Sequence, residues 1–198
     1  MKQKVLLASN NAHKIKEIRA ILGDFFDIVS LCEAGVESDP EETGKTFEEN
    51  ARIKAVAGMK ASGMPCIADD SGLEVLALDC RPGVMSARYS GSHGDDAANN
   101  EKLLAELSDK PDRSARYVCV ICMAFPDGRE LEARGECYGE ILKEKRGNGG
   151  FGYDPLFYFP QFGKTFAEIS AEEKNEVSHR NAALKAFEKL WEKEINDK

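Results

Sequence analysis

The chain has 198 residues, 42% hydrophobic and 31% charged, with no low-complexity tract, which fits one globular domain over 1–198. Its 27 Lys and Arg against 35 Asp and Glu leave a net charge of −8, which argues against broad nucleic-acid or anionic-membrane binding, since both need a positive field. The apolar stretch after Met1-Lys2-Gln3-Lys4 is too short for a signal peptide, and the longest apolar run, Val118 to Phe125, falls far short of a membrane span.

In chain order, Lys4–Ala8 reads as a buried strand, and Asn11–Leu22 as a helix with Ile15, Ile18 and Leu22 on one stripe. Phe26–Ser30 is a second strand, followed by an acidic loop from Cys32 to Gly44 carrying Glu37, Asp39, Glu41 and Glu42. Thr46 and Glu49 have capping-box spacing and open a helix to about Ser62. Cys66–Asp70 is a strand expected to end at Ser71-Gly72, and Leu73–Leu78 is a separate extended piece. Asp95–Leu107 is a helix. Ala115–Phe125 and Glu130–Tyr138 are strands joined at the hairpin signal Pro126-Asp127-Gly128. Arg146–Pro160 is rich in Gly and aromatics and reads as irregular. Ser178–Ile195 is an amphipathic helix with Leu184, Phe187 and Trp191 inward. Strand–helix alternation followed by an antiparallel hairpin gives an α/β class with a mixed sheet.

Cysteines stand at 32, 66, 80, 119, 122 and 137. Cys119 and Cys122 form a CxxC inside a strand, where residues three apart face opposite ways and cannot share a zinc ion. Buried free thiols in a reducing, cytoplasmic compartment are the expectation. Gly44-Lys45-Thr46 resembles the end of a P-loop, but Asp39 stands where the earlier glycine belongs. Gly147 to Gly152 matches GxGxxG by letter, yet Tyr153-Asp154-Pro155 follows where a dinucleotide-binding helix would start.

Several constellations survive. Ser9-Asn10-Asn11-Ala12-His13-Lys14 joins a strand to a helix start, a setting that suits a phosphate or, equally, an Asn N-cap with a solvated lysine. Asp69-Asp70-Ser71 follows an apolar strand, and adjacent carboxylates there are costly if buried unpaired. A hard cation removes that cost, with Glu42 as remote partner and one aspartate leading; a turn-forming Asp-Ser-Gly is the alternative. Asn50 and Lys54, four apart on a helix, share a face aimed either at phosphate or at solvent. Arg88 is a further phosphate candidate. In Phe151-Gly152-Tyr153-Asp154 an aromatic ring beside a carboxylate suits a nucleobase, or else plugs a loop. Lys174 precedes Ser178-His179-Arg180, whose His and Arg can donate to carbonyl oxygens on a base.

These residues fall into ordered motifs that run nearly end to end: Ser9-x-Asn11-x-x-Lys14, Glu42-Thr-Gly-x-Thr46-Phe-x-x-Asn50-Ala51, Ala68-Asp-Asp-Ser-Gly-Leu73, Pro82-Gly83, Ser86-Ala-Arg-Tyr-Ser-Gly91, Gly149-Gly-Phe-Gly-Tyr-Asp-Pro155 and Ser178-His-Arg180. In them the chain resembles the inosine triphosphate pyrophosphatase family. The resemblance implies an elongated, mixed, twisted sheet flanked by helices, in two lobes around a central cleft, and a homodimer. It implies magnesium-dependent hydrolysis of inosine, deoxyinosine and xanthosine triphosphates (ITP, dITP, XTP) to the monophosphate and pyrophosphate. Ser9, Asn10, Asn11, Ala12, His13 and Lys14 would then hold phosphates. Glu42 and Asp70, with Asp69, would hold the metal. Asp70 would be the catalytic base, Ser71 a substrate contact, and Lys54, with Lys14, would stabilise charge on the leaving pyrophosphate. Phe151, Gly152, Tyr153, Asp154, Lys174, His179 and Arg180 would hold the base and its attached groups. The stretch Asn10 to His13 departs from the family, whose members often carry small residues there.

Overall fold

A computed structural model describes residues 2–196, and of His13 the backbone only. Strand β1 (Gln3–Leu7) leads into helix α1 (Ala12–Leu22), then β2 (Phe26–Ser30), α2 (Leu31–Ala34), α3 (Phe47–Ser62) and β3 (Cys66–Val75). After a short 3₁₀ turn come β4 (Arg81–Pro82), α4 (Asp96–Glu106), β5 (Ser114–Ala124), β6 (Glu130–Ile141), β7 (Phe157–Phe159), β8 (Lys164–Thr165), α5 (Ala171–Val177) and α6 (His179–Asn196). Hydrogen bonding orders the strands β2-β1-β3-β5-β6-β7-β8 in one mixed sheet, with β4 on β3. The α/β class and mixed sheet expected from the sequence are present.

The chain divides into two compact units, and β3, β5 and β6 each give residues to both. The first unit holds residues 1–70, 119–135 and 180–198. In it β1 pairs in parallel with β2 and with β3. Its core gathers Val5, Leu7, Ile18, Leu22, Ile67, Ile121, Met123, Leu184, Phe187 and Trp191, the apolar stripes that periodicity assigned to α1 and α6. The second unit holds residues 71–118 and 136–179. Its core is aromatic, with Tyr117, Tyr153, Phe157, Phe159 and Phe166 packed beside Leu73, Leu103 and Leu107.

Helix α3 sets the geometry of the first unit. Thr46 accepts from the Glu49 N–H while Glu49 reaches back, so the expected capping box fixes its start. At Gly58 the helix lies so close to the sheet that a Cβ would stand 2.6 Å from Cys66 Sγ and 3.3 Å from Leu6 Cδ2. Gly58→Ala is therefore expected to lower stability by about 1–3 kcal/mol, the usual cost of overpacking, read as a lower urea midpoint at unchanged slope.

Some expectations need correcting. Ser71-Gly72 does not end a strand, because β3 runs unbroken to Val75 and only Leu76–Leu78 curls into a 3₁₀ turn. The acidic loop begins later than expected, since a Ser30–Glu33 capping box folds Leu31–Ala34 into α2. Within 146–160, β7 pairs antiparallel with β6. All six cysteines are free, and burial pushes the Cys66, Cys119, Cys122 and Cys137 thiols up to about 12. Among the described residues no helix is long and apolar enough to cross a membrane.

Candidate active site

The first group of expected site residues lies just past the carboxyl end of β1 and on the stretch of β3 that follows its parallel pairing of Leu6 with Cys66 and Leu7 with Ile67. The Ala8 N–H donates to Ile67 O at 2.8 Å, tying the end of β1 to the start of β3. Between β1 and α1 the Ser9 hydroxyl accepts from the Asn11 N–H, and Asn11 Oδ1 accepts from the Lys14 N–H, both at 3.2 Å. Asn11 thus caps α1, but Lys14 is not solvated: its ammonium lies 2.8 Å from Asp69 Oδ2. Ala12 opens the helix and Asn10 is exposed. The side-chain role expected of His13 lies outside the described residues.

Asp69 and Asp70, neighbours on a strand, point to different partners, as strand alternation requires. Asp69 is shut in, with Arg180 Nη2 at 3.6 Å in addition to Lys14, and Arg180 Nη1 is held at 2.8 Å by Glu17. Burial alone would raise the Asp69 pKa, but Lys14 and Arg180 outweigh it and hold the carboxyl far below the usual range. Asp70 Oδ1 lies 3.0 Å from Lys54 Nζ, and the same ammonium lies 2.8 Å from Glu42 Oε1. Burial raises the Asp70 carboxyl above the ordinary aspartate value, and Lys54 offsets this only in part. Burial would lower the Lys54 ammonium, but Asp70, Glu42 and Asp69 together hold it above the usual lysine value.

Local structure explains how Glu42 reaches this point. Gly44 N–H donates to Asn50 Oδ1 at 2.8 Å, and a Cβ on Gly44 would stand 2.6 Å from that oxygen. Asn50 is fully buried and anchors the acidic loop, so it does not share an outward face with Lys54. Lys54 sits one helical turn before Gly58, and the close approach at Gly58 brings it down onto Asp70.

The donor set suits a hard divalent cation. Glu42 and Asp70 both lie within 3.0 Å of one cationic nitrogen, and Asp70 Oδ2 is buried without a hydrogen-bond partner. Among the described residues no group of three or more His, Cys, Asp or Glu could hold a metal. Asp69 is brought to Lys14 and Arg180 rather than to Glu42.

The second group lies in the other unit. Asp154 is 1% exposed, and its Oδ2 takes the Lys174 ammonium at 2.5 Å and the Phe151 N–H at 2.9 Å. Tyr117 donates to Asp154 Oδ1 at 3.3 Å, and His179 stacks on the Tyr117 ring at 4.9 Å. Lys174 also lies 4.3 Å from the centre of the Phe151 ring. Tyr153 is buried, its hydroxyl donating to Ser86 O at 2.8 Å, so of the two aromatics only Phe151, 59% exposed, can present a face to a ligand. Gly152 is half-buried and borders, with Asp96, Asn100, Lys145, Asn148 and Phe151, a cavity of about 240 Å³. Ser71 is half-buried on β3, and Arg88 closes a 3₁₀ turn.

Arg180 is the main surprise. Expected with His179 at a base, it has its guanidinium on Asp69 and Glu17 in the first unit. Glu17 was missed altogether. Its signal was slight: it follows Lys14 by three on α1 and so shares that lysine's face.

An α/β protein with a buried aspartate salt-bridged to two cations, beside a lysine shared by two carboxylates, is the class that fold and site define. The chain belongs to the Ham1 family, whose model matches residues 5–190, and this bears out the resemblance drawn from the motifs. It is 56% identical over 181 residues to the dITP/XTP pyrophosphatase of Desulfotalea psychrophila, covering 91% of this chain and 81% of that protein. It is 52% identical over 191 residues to the dITP/XTP pyrophosphatase of Clostridium perfringens, covering 92% and 94%. Among solved structures, the Ham1 protein of Staphylococcus aureus superposes with a TM-score of 0.91 at 45% identity, covering 97% of this chain and 100% of that one.

Proposed function

We propose that this chain is a nucleoside triphosphate pyrophosphatase that hydrolyses ITP, dITP and XTP to the monophosphate and pyrophosphate. The observation that carries the reading is the Lys54 ammonium held between Glu42 and Asp70 beside the Asp69–Lys14–Arg180 group. The names of its relatives in D. psychrophila and C. perfringens support the choice of substrate. The whole chain, 1–198, acts as one catalytic domain, as a homodimer, in the cytoplasm, on a small-molecule substrate.

Glu42 and Asp70 are the residues that would hold magnesium. Bound there, it supplies neutralising charge on the phosphate oxygens and orients them for in-line attack. The chain's own groups do the rest. Asp70, its carboxyl raised by burial, takes a proton from the attacking water as that oxygen bonds to the α-phosphorus. The bond from the α-phosphorus to the bridging oxygen breaks, and pyrophosphate leaves with the electron pair. Lys14 and Lys54 stabilise the charge that develops on it. Ser9 to Asn11 offer hydroxyl and amide groups to the triphosphate, and Ser71 is a further substrate contact. Asp69 holds Lys14 and Arg180 in place beside it.

Base recognition falls to the second group. Phe151 stacks on the purine, and Lys174 and His179 donate to its 6-oxo group. Adenine presents an amino donor there in place of an acceptor, an asymmetry worth about 10⁴-fold where the contact is fully desolvated.

The test offers ITP, dITP, XTP and ATP separately with magnesium and quantifies pyrophosphate and orthophosphate. The expected result is pyrophosphate from the first three, little turnover of ATP, and loss of all activity in EDTA that magnesium restores. Equal turnover of ATP, or release of orthophosphate alone, overturns the reading.

A further inference from the structure

The first turn of α4 carries no role in the reading above, yet it grips the loop that bears Phe151. Asp95 caps α4 by accepting from the Ala98 N–H at 3.0 Å, which leaves the next carboxylate free to turn outward. That carboxylate, Asp96 Oδ2, accepts the Gly152 N–H at 2.6 Å. One turn on, Asn100 Nδ2 donates to Gly152 O at 2.8 Å and to Asp96 O at 2.6 Å. Both polar groups of Gly152 are therefore held from one helix face. Asn100 is 3% exposed, whereas Asp96 is exposed.

The neighbouring contacts leave the loop little freedom. Phe151 N–H is tied to Asp154, Asp154 N–H donates to Phe151 O at 3.2 Å, and the Tyr153 hydroxyl is fixed on Ser86. Within residues 151–154 the Phe151 ring is the exposed side chain. A ring on a loop that must order itself on binding loses affinity to that ordering, and a ring already held does not.

We infer that Asp96 and Asn100 are positioning residues for base recognition, which clamp Gly152 so that Phe151 is presented to the purine in a single orientation. The inference rests on the reading of Phe151 as the stacking contact. The clamp touches neither Asp70 nor the lysines around it, so it acts on substrate capture and not on the chemical step. Its loss raises KM and leaves kcat unchanged.

Asp96→Ala deletes the acceptor from an exposed position, so folding is not at risk. KM for ITP is expected to rise about tenfold at unchanged kcat, the order set by losing one charge-assisted hydrogen bond that preorganises a contact. Asp96→Asn keeps an acceptor oxygen for the Gly152 N–H and is expected to restore KM to within about twofold of the parent. Phe151→Ala, measured alongside, separates the two ideas. If it raises KM while Asp96→Ala does not, the clamp is overturned and the stacking contact stands. If Phe151→Ala leaves KM unchanged, both fall. A drop in kcat for Asp96→Ala at constant KM likewise overturns the positioning role.

Discussion

Replacing Asp70 by Asn is expected to lower kcat by about 10²–10⁴, the range for losing a general base, while nucleotide binding survives. The substitution is nearly isosteric, and its Oδ1 can still accept from Lys54, which lies 3.0 Å away. What disappears is the charge and the proton acceptor. Burial raises the Asp70 carboxyl above its ordinary value in the metal-free protein. A limb of the parent's pH–rate profile that the Asn variant lacks would report the Asp70 titration. Steady-state kinetics with ITP, paired with binding of a non-hydrolysable analogue, check both parts. Near-normal turnover in the variant removes Asp70 from its role.

Most of the fold near the site was legible because local chemistry and tertiary structure agree there. Thr46 and Glu49 marked the start of α3, and the spacing of Ile18 and Leu22, or of Leu184, Phe187 and Trp191, marked buried faces. The rule that strand neighbours face opposite ways separates Asp69, which meets Lys14, from Asp70, which meets Lys54. What was misread was settled by partners distant in sequence. Ser71-Gly72 has the letters of a turn, but β3 is held extended by its neighbours in the sheet, and Gly72 is buried within it. The same signature that revealed α3 also stood at Ser30–Glu33 and Ser170–Glu173, heading α2 and α5, where no long apolar stripe followed to draw the eye. Asn50 looked like a ligand-facing amide because helix spacing gives a face but not its direction; burial and Gly44 supply the direction. Arg180 met Glu17 across 163 residues, a distance over which no local pattern carries information.

Asp69→Leu is expected to cost about 3–5 kcal/mol, the penalty for removing one partner of a buried ion pair. Against a typical total of about 5–15 kcal/mol, that is enough to bring the protein close to unfolding at moderate temperature. The Asp69 side chain is 1% exposed and Arg180 8%, so without the carboxylate the guanidinium keeps Glu17 but loses Asp69 in a site water scarcely reaches. Leu is larger than Asp, so no cavity forms and overpacking adds to the loss. The pH dependence fixes the cause. Folding holds the Asp69 carboxyl below its unfolded value of about 3.9. Its contribution is then fully present above that value and is lost as pH falls further toward the folded one. Urea midpoints of parent and variant should differ widely at pH 7 and converge in strong acid. Adding Arg180→Leu to Asp69→Leu should recover part of the loss, because the buried cation that faced Asp69 goes with it. Equal midpoints for parent and Asp69→Leu at pH 7, or a double variant as unstable as the two singles combined, show that the ion group contributes nothing to folding. Asp69 would then owe its place on β3 to the chemistry alone.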